Sequence, residues 1–569
     1  MKVKKNKTLY VLIFLLILLF VFFLAYRPEL ELALEAIHRV DPDSEDISLF
    51  LKNINAFDDY FLPAQKNTDV KHYTLHVELF PKEKRITGKA EINITLNGNE
   101  KIVLNFYETL KIDSLTLNEM NAGYTRDEKH IFINAGNVNG DSIDIVIYYS
   151  GTPEKMGFGS FVFGEYNNSP VIYTLSEPIF ASTWFPCNDL PYDKALADIF
   201  ITNDSDFVSV SNGKLVGIKK KGDRKTYHWQ TVYPISTYLI ALYSAKYNHF
   251  AEWYVSSGGD SMKVEYFVFP DHIDEAQEDF EINKEALKVF SELFGTYPFI
   301  KEKYGVAEFL WQLGAIEHQT ITGVGSNFLS GRKFFDDVYV HELAHQWWGN
   351  AVTVKTWKDV WLSEGFSTYS EALFYEKKFG RDALISTLMN KYGKFEGKRL
   401  YDPGKNLFDK VVYNKGAWVL HMLRNHVGDK LFFRILRNYY EKFKYKNAST
   451  EDFQEICETV SGKELDFFFD QWVYEGKGIP LINYEFSVDS SGGNIFLAKV
   501  KLEQVQKGYG AYTLPIDMKI RGTEGEIKDT TFVLFNMVKK IEMPLDFKPM
   551  DVIFDPESKL LAQFEKRDN

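Results

Sequence analysis

The segment His341-Glu342-Leu343-Ala344-His345 constrains this chain more than any other. Two histidines four residues apart share a face only on an α-helix, where their Cβ atoms lie about 6 Å apart, a spacing that suits two imidazoles on one metal ion. On the same wheel Val340, Leu343 and Trp347 point the other way, so the helix separates a wet face from a dry one. It must therefore back onto a core and open onto a cleft. Gly349 is expected to end it. Glu342 lies about 100° round from His341, less suited to ligation than to taking a proton from a water that a metal has acidified.

With 12 histidines in the chain, about one such sequence in fifty would carry this pattern by chance, so a third ligand is required. Downstream, VWLSEGFSTYSEALFY reads as a helix that begins near Ser363 and offers Asp359, Glu364 and Glu371. Glu364, in the first turn, can face back across the hairpin to both histidines. Glu371 shares that face two turns on, roughly 10 Å further, and reads as a support or a solvated charge. Asp359 precedes the helix and is a candidate to orient a histidine.

The balance of charge narrows the partners. A formal net charge of −13 over 569 residues argues against nucleic-acid binding, which needs clustered Lys and Arg. Two cysteines, Cys187 and Cys457, are too few for a disulfide scaffold or a thiolate zinc finger. At the N-terminus Lys2, Lys4, Lys5 and Lys7 precede the apolar run Leu9 to Ala25, with Glu29, Glu31 and Glu35 behind. As a helix this run is ~26 Å long, enough to span a slightly thinned bilayer. The charge asymmetry predicts a cytoplasmic N-terminus and an extracytoplasmic remainder, a single-pass membrane anchor. A cleaved signal peptide is the competing reading, but Phe23-Leu24-Ala25 lacks the small-x-small pattern.

Periodicity divides the rest into a multidomain α+β chain. Residues 1–27 form the anchor and 28–67 an acidic stalk. Alternating runs such as HYTLHVELF and DSIDIVIYYSG, with Asn-Gly and Gly turns between them, predict a β-rich domain over 68–250. Helical spacing then dominates a catalytic domain over 251–478. Alternation returns in INYEFSVD and NIFLAKVKLEQV, predicting a small antiparallel sandwich over 479–569.

HELAHQWWGN followed by SEGFSTY resembles the gluzincin aminopeptidases of the aminopeptidase N type. The resemblance extends to GAIEHQTITG at 314–323, FPCNDLPYDKA at 185–195 and YNKGAWVLHML at 413–423. It implies a saddle-like N-terminal β domain and a thermolysin-like, mostly helical catalytic domain. It also implies one Zn2+ per chain held by His341, His345 and Glu364, with Glu342 as general base. Tyr413 matches the tyrosine that supports the oxyanion. Glu317 and Glu177 match carboxylates that hold a peptide's free α-amine, and Gly314 and Ala315 lie where the family lines the peptide with backbone. Ile316, His318, Ser363 and Ser182 depart from the usual residues and leave the first side-chain pocket, hence the preferred N-terminal residue, open. The large helical C-terminal domain of many relatives is expected to be missing, giving a more open site or one covered by a partner subunit.

The expected activity is removal of the N-terminal residue from peptides by a zinc-dependent aminopeptidase. An endopeptidase or epoxide hydrolase on the same frame, or a surface binding scaffold, are the alternatives.

Overall fold

The computed structural model describes residues 60–567, apart from 98–100, 137–141, 158, 405–406 and 491–494. The apolar run Leu9 to Ala25 and nearly all of the expected stalk lie outside the described residues. Among the described residues no helix is long and apolar enough to cross a membrane.

The N-terminal domain is built of sheets, as the alternation predicts. Its largest has eight strands, with Thr68–Phe80 near the middle between Arg85–Leu96 (antiparallel) and Leu196–Asp204 (parallel). Val70, Tyr73, Leu75, Val77 and Leu79 of Thr68–Phe80 face the core. The three-residue step from Val70 to Tyr73 breaks the period of two, and a bulge between Val70 and His72 absorbs it. A five-stranded sheet carries Ser169–Leu175 and a three-stranded one carries Lys101–Asn105.

Strand Asn248–Val255, which straddles the expected boundary at residue 250, pairs with Ser261–Val268. These two open a five-stranded mixed sheet that continues through Lys303–Phe309 and Thr322–Gly325 to the edge strand Ala315–Ile316. All seven residues of Lys303–Phe309 and all four of Thr322–Gly325 are buried, so neither strand alternates, and periodicity alone does not reveal them. Helices Ile282–Phe294, Asp336–Ala344, Trp361–Phe379, Gly416–Val427 and Asp429–Phe443 pack on one another, and Asp336–Ala344 also meets the edge strand Ala315–Ile316.

The C-terminal unit is a two-layer sandwich of four and three strands. It is not wholly antiparallel: Leu481–Ser490 runs parallel to the last strand, Gln563–Lys566. Both cysteines are buried and free.

Candidate active site

The histidine helix, Asp336–Ala344, is shorter than expected. It ends at Ala344 with His345 as its C-cap, and tight turns carry the chain to Gly349, where φ is +112°. Its dry face holds: Val340, Leu343 and Trp347 are fully buried. The next helix, Trp361–Phe379, starts two residues ahead of the predicted Ser363, and its first fourteen residues are all buried.

Three lone pairs converge between these helices. His341 Nε2 and His345 Nε2 are 3.0 Å apart, and Glu364 Oε2 lies 3.5 Å from the first and 3.3 Å from the second. The other ring nitrogens fix which atoms are bare. His345 Nδ1 faces the Trp348 carbonyl at 3.0 Å, an oxygen that only accepts, so Nδ1 carries the proton. His341 Nδ1 donates to Glu371 Oε1 at 2.8 Å. Two unprotonated Nε2 atoms and a carboxylate oxygen in mutual contact repel one another unless a cation lies among them. Their spacing suits tetrahedral ligation by bonds of about 2.0–2.2 Å. The donor set therefore fits a zinc-like ion.

Electrostatics reinforce that fit. Burial disfavours a charged His341, yet Glu364 and Glu371 raise its affinity for a proton well above the usual imidazole value. The same carboxylates raise its affinity for a metal ion. Burial likewise opposes ionisation of Glu364, but the two histidines outweigh it and hold its carboxyl down at about 2.

Glu371 rather than Asp359 is the carboxylate that orients a histidine. Asp359 accepts instead from Thr450 N and Oγ1, both at 2.9 Å, and from Thr356 Oγ1 at 2.9 Å, tying two helix starts together. Glu371 is buried and anchored on its far oxygen by Lys391 Nζ at 2.8 Å. Ser363 Oγ, 3.1 Å from His345 Nδ1, is a further partner that the sequence did not single out as such.

Glu342 is buried with Oε2 free of any hydrogen bond among the described residues. Burial lifts its carboxyl to about 8, with the neighbouring Glu317 charge adding to the rise and both histidines opposing it. Tyr413 sits on a single π-helical turn, Val411–Lys415, with its ring stacked 6.0 Å from that of His341. Burial first, then Glu364, holds its phenol well above the ordinary range, so it keeps its proton and can donate. A close approach seats this turn: a Cβ on Gly365 would meet Gly416 Cα at 2.8 Å and Val412 O at 3.1 Å. Glycine at 365 and 416 lets the Glu364 helix and the Tyr413 turn touch backbone to backbone.

Glu177 and Glu317 are also buried, and each places a carboxylate oxygen within 4.8 Å of the other and of Glu364. Among the described residues neither has a Lys or Arg in ion-pair range. Burial first, then repulsion from Glu317, holds the Glu177 carboxyl well above its usual range. The Glu317 loop is bolted to the histidine motif, since Asn350 Nδ2 donates to Glu317 O at 2.6 Å and Thr320 N to Gln346 Oε1 at 2.9 Å. Lys194 of FPCNDLPYDKA donates to Asn350 O at 2.7 Å. His318 is buried and its Nδ1 meets Tyr243 Oη at 2.6 Å, away from the triad. Gly314 and Ala315 form one wall of a cleft of about 480 Å3 whose lining includes His341, Glu342, His345, Glu364, Glu177, Glu317 and Tyr413.

Comparison with known proteins agrees with this geometry. The peptidase M1 N-terminal domain model matches residues 69–239 and the peptidase family M1 domain model residues 278–472. Probable aminopeptidase 2 of Sulfurisphaera tokodaii is 25% identical over 502 residues, covering 81% of this chain and 61% of that protein. Aminopeptidase M1 of Arabidopsis thaliana is 28% identical, covering 62% of this chain and 42% of its own length. The chain thus spans about three-fifths or less of these curated relatives. The crystal structure of an M1 zinc metallopeptidase from Deinococcus radiodurans superposes with a TM-score of 0.66 at 26% identity, covering 73% of this chain and 95% of that one. Another structure from that organism holds a Tyr-Ser-Ala substrate. Legionella pneumophila aminopeptidase A shares the fold, with a TM-score of 0.78 at 20% identity. With both domain models matched in order across most of the catalytic and N-terminal domains, and the metal-ligand geometry intact, the chain belongs to the M1 peptidase family.

Proposed function

We propose that this chain is a zinc-dependent aminopeptidase that removes the N-terminal residue from peptides. The observation that carries the reading is the pair of buried carboxylates, Glu177 and Glu317, within 4.8 Å of the metal-ligand Glu364 and, among the described residues, without a Lys or Arg partner. Buried charges are paired or hydrogen-bonded, and an α-ammonium supplies both at once. At a fixed distance from His341, His345 and Glu364, such an anchor measures off one residue.

A zinc ion held by the triad would supply Lewis acidity to the scissile carbonyl and acidify water beside it. Glu342 takes the proton of the attacking water and returns it to the leaving amine. The Tyr413 phenol, kept protonated, donates toward the developing oxyanion. Glu177 and Glu317 hold the amine, while Gly314 and Ala315 present backbone to the peptide. The Tyr-Ser-Ala substrate held by the Deinococcus neighbour supports peptides as the substrate class.

An aminoacyl reporter with a free amine should be cleaved at least a hundredfold faster than its N-acetylated form, and chelator should abolish both rates. Equal rates would overturn the amine anchor and favour an endopeptidase. Glu342→Gln should abolish hydrolysis; a biological role untouched by it would favour the scaffold reading.

The same proposal has the chain held at a membrane by Leu9 to Ala25, with its catalytic domain on the extracytoplasmic side. The apolar run and the lysines ahead of it support this. Full-length protein should sediment with membranes and leave them only in detergent. Release by alkaline carbonate would refute it.

A further inference from the structure

We propose that the cleft also selects the residue following the cut bond, and that Asp337 makes it favour a basic side chain there. This rests on the aminopeptidase reading, because the amine anchor sets the direction of the bound peptide.

Both walls give the same direction. Glu317 lies at the His345 end of the triad, with Oε1 3.8 Å from His345 Nδ1, whereas Glu371 lies at the His341 end. A peptide with its amine at Glu317 and its carbonyl at the triad therefore continues past His341, one helical turn or about 6 Å along the axis. Asp337 stands one turn further on the same face. On the opposite wall, the edge strand Ala315–Ile316 runs into Glu317, so the departing part of the peptide passes Ala315 and then Gly314 and Leu313. The second side chain thus enters the part of the cleft lined by Leu313, Phe328, Asp337 and Val338.

The charges there do not cancel. Asp337 is faced by Glu371 and Lys391, and Lys391 Nζ is committed to Glu371 Oε2 at 2.8 Å. Among the described residues Asp337 has no ion-pair partner. Two carboxylates against one ammonium leave this end of the cleft negative. A lysine or arginine side chain answers both features, its stem lying on Phe328 and Val338 and its head meeting Asp337. An aspartate or glutamate would be repelled. The plainer role for Asp337 is to favour the helix dipole from the first turn of Asp336–Ala344, which Asp336 also does. That role would change the rates on all substrates alike.

The test uses the full chain with zinc, leucine p-nitroanilide, and the tripeptide amides Leu-Lys-Ala, Leu-Ala-Ala and Leu-Glu-Ala. At low salt kcat/KM should favour Lys over Glu roughly tenfold, a modest ratio because Asp337 is solvent-exposed. The ratio should shrink in salt. Asp337→Asn should bring Lys and Glu within about twofold, with the anilide, whose leaving group is uncharged, changing less than the Leu-Lys-Ala amide. Parity or a Glu preference in the unmodified chain overturns the proposal, as does an equal fall on every substrate in the variant. If the variant does not fold, the unmodified chain's ratio and its salt dependence still decide. Failure to cleave the anilide at all would instead overturn the aminopeptidase reading, and this proposal with it.

Discussion

The two ends of the metal triad treat buried carboxylates in opposite ways. At the His341 end Glu371 is fully committed, with one oxygen accepting from His341 Nδ1 and the other paired with Lys391. At the His345 end Glu177 and Glu317 are equally buried, yet among the described residues no Lys or Arg faces them. A buried carboxylate whose partners are already built in is a support. One left without a cation is destabilised until a ligand brings one, and that cost is returned as binding. On the aminopeptidase reading proposed above, the difference separates a support from a substrate anchor.

Removing one carboxylate from each end tests this most directly. Glu317→Gln should lower kcat/KM on free-amine substrates by roughly a hundredfold or more, in line with about 2–5 kcal/mol for truncating a buried charge pair. Zinc content, read by atomic absorption, should stay at one per chain. If the variant loses its metal instead, Glu317 belongs to the support.

Glu371→Gln should do the reverse. Orienting partners of metal-bound histidines are worth about 10–100-fold in metal affinity. Activity should fall at limiting zinc and recover when zinc is added, with KM for substrate nearly unchanged. A defect that zinc does not repair would erase the contrast between the two ends.

A smaller effect is expected from Gly365→Ala, which forces a Cβ against Gly416. Overpacking of this kind costs about 1–3 kcal/mol, readable as a lower Tm. Because it shifts the Tyr413 turn, kcat should fall more than KM rises. Asn350→Ala should be the mildest, removing the 2.6 Å hydrogen bond to Glu317 O at a cost of about 1 kcal/mol. A rise in KM of about fivefold, with metal content intact, would mark Asn350 as a positioning residue for the amine end.

Much of this was legible in order along the chain. The i, i+4 histidines, Glu364 in the first turn of the next helix, and the alternating strands on either side of the catalytic domain all follow from local periodicity. The buried strands Lys303–Phe309 and Thr322–Gly325 did not, because burial on both faces removes the alternation that announces a strand. The histidine helix also stops at Ala344, where the following turns bring Trp348 O onto His345 Nδ1. The residue that orients a histidine is hidden for a related reason. Asp359 and Glu371 both stand at plausible distances in sequence, and only the packing shows that Thr450 claims the first and His341 the second.

By itself, then, the sequence determined which side chains could hold a metal, since helical spacing is a local property set by 3.6 residues per turn. It also determined the succession of β-rich, catalytic and sandwich units, because hydrophobic period is local too. Tertiary structure alone decided which buried carboxylates near the triad are paired with a Lys and which, among the described residues, are not. It also decided how Gly365 and Gly416 bring Tyr413 to the triad. Those outcomes depend on contacts between segments far apart in the chain, which no local period encodes.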